Sequence, residues 1–190
     1  MRFPLVVFDC DGVIIESVNA KTEAFYRLGL AFGPAAAQKL KDYHLSHLGV
    51  SRFIKFEWLF KEVLHKELTP AISEELGQQF VDLCLAEVTA SALVPGCQEC
   101  LDYLFGKSTM YIASGIPEDE LRTIVKIRGL GKYFKDTLGS PPGKSEVLAG
   151  IIAKEGVDPK KTLMVGDSVT DLNAAKAAGC AFFGRGAEFK

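Results

Sequence analysis

The sequence has no uncharged apolar run of the ~18 residues that a membrane span needs, and it has little net charge. Its short apolar segment near the N-terminus, Pro4 to Phe8, is too short for a secretory signal peptide, and acidic residues follow it where a cleavage site needs small ones. A net charge of −2 gives no reason to expect binding to nucleic acid or to anionic membranes. We therefore expect a cytoplasmic protein with no nucleic-acid partner and no membrane partner.

Cysteine is scarce as well, with five residues that show no repeated spacing. An odd number of this kind is typical of reduced thiols. Cys97 and Cys100 match the C-x-x-C pattern of redox and zinc sites, but no second Cys/His pair exists that could complete a zinc site. We interpret all five as ordinary thiols. The chain, 48% of it apolar, is long enough to bury a core without disulfides or structural metal.

Short apolar runs alternate with helical patterns over most of the chain. The runs that predict strands are Arg2 to Phe8, Thr109 to Ala113, a weaker one near Thr137-Leu138, Thr162 to Val165 and Ala181 to Gly184. The helical patterns between them are Pro117 to Arg128, Ser145 to Lys154 and Asp171 to Ala178. This alternation predicts an α/β fold in which helices cover both faces of a parallel sheet.

One long segment, residues 17–93, breaks the alternation. Helical periodicity appears in Ala20 to Leu30, Phe53 to Leu64 and Ile72 to Ala86, without a convincing strand. We interpret 17–93 as an inserted, all-helical cap domain. The segments 1–16 and 94–190 then form the core domain, and the turn residues Pro95-Gly96 mark the return of the chain to it.

Polar side chains follow three of the predicted strands. Asp9 and Asp11 follow the first strand, Ser114 the second and Asp167 the run that begins at Thr162, while Lys144 lies in a loop. Ligands of an open parallel sheet bind outside the carboxyl ends of its strands. We therefore expect these five side chains to converge on one site.

The residue types at this edge suit phosphoryl transfer. A carboxylate such as Asp9 can attack phosphorus and form an aspartyl-phosphate. A second acid, Asp11, can protonate the leaving oxygen and then activate water. Mg²⁺ prefers oxygen ligands, which carboxylates and a backbone carbonyl supply. Lys144 would offset negative charge, while Ser114 and the backbone at Gly115 would orient the phosphate oxygens.

Four segments resemble the four motifs of the haloacid dehalogenase superfamily, and the resemblance runs from Arg2 to about Gly184. The segments are Phe8-Asp9-Cys10-Asp11-Gly12-Val13, Ile112-Ala113-Ser114-Gly115, Lys144, and Val165-Gly166-Asp167-Ser168-Val169-Thr170-Asp171. The resemblance implies a Rossmann-like sheet of strand order 5-4-1-2-3, with a helical cap inserted after the first motif. Where family members often have Asp-Ser after that motif, this chain has Glu16-Ser17.

The family resemblance also implies a role for each matched residue. Asp9 would be nucleophile and metal ligand, and Asp11 would be general acid and base and bind the metal through its carbonyl. Asp167 would complete the Mg²⁺ site, and Lys144 would pair with Asp9. Two further sets complete the roles that the resemblance implies: Ser114, Gly115 and Lys144 would bind phosphate, and Ser168 and Asp171 would support the site without touching the substrate.

Three activities stay open at this point. The first is a phosphatase acting on a small phosphorylated metabolite, and the second is a phosphosugar mutase of the beta-phosphoglucomutase type. The third, a non-catalytic binding module, ranks last, because such a module should have lost Asp9, Asp11, Lys144 or Asp167. Hydrolysis is preferred, because nothing in the sequence indicates how a mutase would protect its phosphorylated aspartate from water. The expected assembly is a monomer or a weak homodimer.

The first part of the predicted cap is basic, since residues 17–66 carry eight Lys/Arg against four Asp/Glu. Gly49-Val50-Ser51-Arg52 resembles a substrate-facing segment of beta-phosphoglucomutase-like caps, and Lys55 would share a helix face with Arg52. His44 and His47 also fall here and could line the same surface. Two interpretations stay open: a solvated basic face, or a lid that attracts an anionic substrate.

Overall fold

The computed structural model describes residues 2–186 and residue 189. Five strands form one parallel sheet. They are β1 (Leu5–Phe8), β2 (Thr109–Pro117), β3 (Asp136–Ser140), β4 (Thr162–Gly166) and β5 (Ala181–Gly184). The order β3-β2-β1-β4-β5 is the predicted order read from the other edge, so the predicted Rossmann-like α/β fold is confirmed.

Helices lie on both faces of this sheet and in the inserted segment. The inserted ones are α1 (Val18–Gly29), α2 (Pro34–Ser46), α3 (Arg52–Trp58) and α4 (Pro70–Ala90). Those of the core are α5 (Cys97–Leu104), α6 (Glu118–Ile127), α7 (Lys144–Glu155) and α8 (Val169–Ala178). Among the described residues, no helix is both long and apolar enough to span a membrane.

Strand β1 shows why its sequence is apolar throughout. Successive side chains of a strand point to opposite faces. Val6 and Phe8 pack in the cluster that contains α5 and α6, whereas Leu5 and Val7 pack with α7 and α8. All four are buried, so β1 is the central strand from which both layers of the core are built.

The inserted segment leaves and re-enters the core through two adjacent stretches of chain. Ile15 forms an isolated bridge with Leu93, and the Val94 N–H donates to the Ile14 carbonyl over 3.0 Å. From 18 to 90 the described secondary structure is helical. We propose on this basis that 17–93 is a cap domain on the core.

The structure differs from the prediction in three places. Helix α2 was not predicted, because two of its four buried residues, Ala36 and Ala37, are small and leave little amphipathic contrast. The predicted helix Phe53 to Leu64 is interrupted at Trp58 and continues as a π-helical turn, which ends at His65 in a left-handed conformation. Pro117 is the last residue of β2 instead of the first turn of α6. All five cysteines are free thiols, as expected.

We expect Leu148→Ala to lower the free energy of unfolding by about 2–5 kcal/mol, because Leu148 on α7 is fully buried against the sheet. Ile127→Ala is the matched control, since Ile127 is 60% exposed and should change stability by less than about 1 kcal/mol. Urea unfolding followed by circular dichroism measures both variants. Equal losses would contradict the packing described for α7.

Candidate active site

The carboxyl ends of β1, β2 and β4 bring the predicted polar residues to one cavity. Asp9 follows β1 directly, and its backbone N–H donates to the Val165 carbonyl of β4 over 2.9 Å. Asp9, Asp11, Ser114, Gly115 and Asp167 all line this cavity. The expected convergence on one edge of the sheet is therefore seen in the structure.

Lys144, the first residue of α7, lies beneath this cavity as a buried cation. Its Nζ is 2.8 Å from Asp9 Oδ2 and 2.5 Å from Asp171 Oδ1. Burial by itself lowers the pKa of Lys144, but the Asp9 and Asp171 carboxylates outweigh it and hold the pKa well above its usual range. The side chain therefore stays charged and neutralises part of the acidic cluster.

Asp171 serves two purposes at the start of α8. Its Oδ2 accepts hydrogen bonds from the Ser168 N–H (3.1 Å), the Ser168 hydroxyl (2.6 Å) and the Asp167 N–H (3.2 Å). Ser168 in turn caps α8 by accepting from the Asp171 N–H, which completes a capping box. Because Oδ1 binds Lys144, both oxygens of Asp171 already have protein donors. The position of Asp171, in contact with Asp167 and Lys144, fits its predicted role of supporting the site.

Asp167 has no cationic partner within 4.0 Å among residues 2–186. Burial raises its pKa to about 8, with Asp9 and Asp171 adding to the effect. Burial also raises the pKa of Asp9 to about 6, although Lys144 opposes it. Carboxylate oxygens of Asp9, Asp167 and Asp171 lie within 4.8 Å of one another. This excess of negative oxygen donors fits a hard divalent cation such as Mg²⁺, with Asp9 and Asp167 the carboxylates to hold it.

Gly12 shows how closely the chain is packed beside Asp167. Its φ of 69° is a conformation that side chains rarely adopt. A Cβ at this position would also collide with the Asp167 carboxylate. The glycine of the first motif is therefore required both by the turn after β1 and by the candidate metal ligand.

Asp11 is held by two side chains from the beginning of the cap. Its Oδ2 is 2.5 Å from Lys21 Nζ, and its Oδ1 accepts a hydrogen bond from the Ser17 hydroxyl at 2.5 Å. Burial alone raises the pKa of Asp11, but Lys21 and Ser17 outweigh it and hold the pKa below its usual range. Sequence reasoning missed Lys21; the available signal was its spacing of four from Ser17, which places both on one face of α1.

Three of the four proposed cap residues line the same cavity as Asp9. They are His44, Arg52 and Lys55. Arg52 is only 5% exposed, and its guanidinium lies 2.5 Å from the Glu120 carboxylate of α6. Lys55 Nζ lies 2.8 Å from His44 Nδ1. For Arg52 and Lys55, the interpretation as a solvated basic face is therefore wrong, whereas Lys39 and Lys61 do have exposed side chains.

His47 does not lie with this group, and the idea that it shares a surface with His44 is wrong. Its ring stacks on Tyr43 at a centroid distance of 3.9 Å, and Trp58 stacks on Tyr43 at 3.9 Å. The reason is that α2 ends at Ser46. His47 has φ −131°, so helical periodicity no longer sets its direction.

The cap loop before α3 rests directly on the core. Its Leu48 carbonyl accepts a hydrogen bond from the Thr170 hydroxyl at 2.8 Å. A Cβ on Gly115 would collide with the Gly49 carbonyl, so a glycine at 115 allows this approach. Together with the Arg52–Glu120 pair, these contacts close the cavity from the cap side.

A family comparison agrees with this geometry. The model of the haloacid dehalogenase-like hydrolases matches residues 3–179. The chain belongs to this family. The match covers β1 to α8, and hence every core residue predicted for the site in this haloacid dehalogenase-like hydrolase.

Individual relatives of this hydrolase carry the name phosphoglycolate phosphatase. A phosphoglycolate phosphatase of Vibrio parahaemolyticus is 31% identical over 95% of this chain and 82% of the relative. Another, of Pseudomonas putida, is 28% identical over 92% of this chain and 66% of the relative. The crystal structure of a predicted phosphoglycolate phosphatase from Haemophilus somnus superposes with a TM-score of 0.73 at 23% identity, covering 97% and 85% of the two chains. At that identity the superposition speaks for the fold alone.

We expect Mg²⁺ to raise the melting temperature more at pH 8 than at pH 5.5. The pKa values of Asp9 and Asp167, about 6 and about 8, lie above those of an unfolded chain. Without metal, these groups therefore favour folding at low pH, and that contribution is lost as the pH rises through about 6 and about 8. Mg²⁺ must displace the same protons. At ten times its Kd it should contribute about 1.4 kcal/mol, or about 4 °C, in a thermal melt at pH 8.

Asp167→Asn is the matched variant for this measurement. It removes a buried charge that lacks a cation, so the metal-free protein should melt at a higher temperature at pH 8. The variant should also lose the response to Mg²⁺. An unchanged response in Asp167→Asn, or equal responses of the wild type at both pH values, would contradict the candidate metal site.

Proposed function

We propose that this haloacid dehalogenase-like hydrolase is a Mg²⁺-dependent phosphatase that hydrolyses a small phosphorylated metabolite through an aspartyl-phosphate on Asp9. The observation that carries the proposal is that Asp9 and Asp11 line one cavity while the buried Lys144 pairs with Asp9 beneath it. Attack by a carboxylate on a phosphate dianion brings negative charges together and requires a cation nearby. Lys144 places its positive charge where the phosphate would meet the acidic cluster. Ser114, 3% exposed and within the adjacent strand β2, offers a hydroxyl to the same phosphate.

In the proposed reaction, an Asp9 carboxylate oxygen forms a bond to phosphorus while the ester bond to the leaving oxygen breaks. A proton from Asp11 passes to that oxygen, and the alcohol departs. Asp11 then takes a proton from water, whose oxygen attacks the aspartyl-phosphate and releases inorganic phosphate and free Asp9. Mg²⁺, held by Asp9 and Asp167, would supply positive charge to the phosphate oxygens.

Lys21 sets the protonation state of Asp11 in this scheme. In the structure, Lys21 and Ser17 hold Asp11 as a carboxylate, which is the form that accepts a proton from water. The first step needs the protonated form, so the Lys21 contact must weaken when substrate enters. Lys21 is thus a positioning residue that acts through Asp11.

The cavity is lined by side chains of both the core and the inserted helices, which favours a compact substrate that reaches both. The relatives named phosphoglycolate phosphatase make 2-phosphoglycolate the first compound to test. A screen of phosphorylated metabolites with Mg²⁺ should score free phosphate and isomerised product together, because a mutase would give the second.

We expect Asp9→Asn to lower kcat for p-nitrophenyl phosphate and for 2-phosphoglycolate by at least about 10³-fold, because the amide cannot form the phosphoenzyme. The released phosphate is measured directly. Asp119→Asn is the control, since Asp119 is an exposed acid on α6 outside the cavity. If Asp9→Asn kept its turnover while folded by circular dichroism, Asp9 would not be the nucleophile.

We expect Lys21→Met to move the acidic limb of the kcat–pH profile to higher pH by about one unit. Without Lys21, burial raises the pKa of Asp11, so the carboxylate form that activates water is lost at a higher pH. Lys39→Met, on an exposed lysine of α2, should leave the limb in place. Identical limbs in wild type and Lys21→Met would show that Lys21 does not act through Asp11.

A further inference from the structure

The cations around the cavity differ in one respect. Lys21, Arg52 and Lys144 each lie within 2.8 Å of a carboxylate. Lys55 is as deeply buried, at 2% exposed, yet within the described part of the chain it has no carboxylate within 4.0 Å. A buried cation without an anion is costly, so the position requires a reason.

Within residues 2–186, the one polar contact of the Lys55 side chain is with His44, a second group that lacks a partner. Lys55 Nζ lies 2.8 Å from His44 Nδ1. A charged lysine can only donate, so Nδ1 then accepts and the ring proton lies on Nε2. His44 is 5% exposed, and Nε2 is the one buried side-chain polar atom in the described residues without a hydrogen-bond partner. The Lys55 ammonium group and His44 Nε2 are thus two neighbouring donors, on residues that line the cavity, for which the described residues supply no carboxylate and no other acceptor.

Packing holds these two donors in place. The His44 ring lies 4.5 Å from the Phe25 ring, and Lys55 Nζ lies 5.1 Å from the centre of the same ring. Phe25 itself is 2% exposed and lines the cavity. His44 of α2 and Lys55 of α3 are therefore held against Phe25 of α1 as part of the cavity wall, although the proposed chemistry uses neither residue.

We propose that Lys55 and His44 bind a carboxylate of the substrate while the core binds its phosphate. The inference rests on the proposed phosphatase function and deepens it: the substrate class is a compact phosphorylated carboxylic acid. Asp167 and Lys55 then have the same explanation, since each is an ionisable group at the cavity with no protein partner of opposite charge among the described residues, and each gains one when the site fills.

The charges that face Lys55 support this role. Burial lowers its pKa to about 7, with Lys21 and Arg52 adding to the effect and Asp11 opposing it. Burial and Lys55 lower the pKa of His44 to about 3, so His44 is neutral. A carboxylate beside Lys55 favours the ammonium form. Binding above pH 7 should therefore be accompanied by uptake of a proton.

The first test compares substrates that differ only in the carboxylate. Two pairs serve: 2-phosphoglycolate with 2-hydroxyethyl phosphate, and 3-phosphoglycerate with glycerol 3-phosphate. The wild type should prefer the acid of at least one pair in kcat/KM. Lys55→Met should reduce that preference by about 10- to 100-fold, the range for a lost hydrogen bond to a charged group. His44→Leu should reduce it in the same direction.

Lys61→Met is the matched control, because Lys61 lies in the turn after α3 with a side chain that is 84% exposed. It should keep the preference of the wild type. If Lys55→Met lowered kcat/KM equally for acid and alcohol, or if the wild type preferred neither, the carboxylate site would be refuted. A folded Lys55→Gln variant decides the matter if Lys55→Met does not fold.

A binding test separates this inference from the proposed function. Asp9→Asn is titrated with 2-phosphoglycolate and 3-phosphoglycerate in saturating Mg²⁺ at pH 8, by calorimetry in two buffers of different ionisation enthalpy. We expect uptake approaching one proton per acid bound, lost in Asp9→Asn/Lys55→Met. Binding without that uptake, or no binding, would overturn the carboxylate site. If Asp9→Asn took up the proton on binding but the wild type released no phosphate from the same compounds, the carboxylate site would stand and the proposed phosphatase activity would be refuted.

Discussion

Negatively charged side chains are buried at the carboxyl ends of β1 and β4, and one lysine offsets the free-energy cost of burying them. Lys144 lies between Asp9 and Asp171, and the three side chains are at most 2% exposed. Removing one member of such a group leaves an uncompensated charge at a cost of about 3–5 kcal/mol. Because Lys144 begins α7 and Asp171 caps α8, the same contacts also fix two helices on one face of the sheet. Stability and the proposed chemistry therefore depend on the same three side chains.

The core was predictable because its information is local. Four-residue apolar runs such as Leu5–Phe8 identify a central strand, and acids directly after the strand end must lie at its carboxyl edge. The segment from Gly166 to Asp171 is also informative by itself. Its capping box starts α8, and the same box orients Asp171 toward Lys144. Residues that act through their position on a strand end can be found from sequence alone.

The cap was less predictable because its contacts join elements that are far apart in sequence. Arg52 meets Glu120 across 68 residues, and no local pattern indicates that partner. Periodicity put Arg52 and Lys55 on one face correctly, but it could not show that the face is buried. It failed for His47, one residue past the end of α2. Lys21 was missed because an amphipathic helix permits either a solvated or a buried lysine at that place.

The inserted segment 17–93 leaves and re-enters the core at neighbouring points, because the two connecting stretches of chain are bridged at Ile15 and Leu93. An insertion whose two ends are adjacent disturbs the fold of the core little, since neither end has to cross the sheet. Five strands, Lys144 and the acidic cluster all belong to the segments outside 17–93. If 17–93 is the cap domain that we propose, a different helical insertion between the same two anchor points would change the groups that face the cavity and leave Asp9, Lys144 and Asp167 in place.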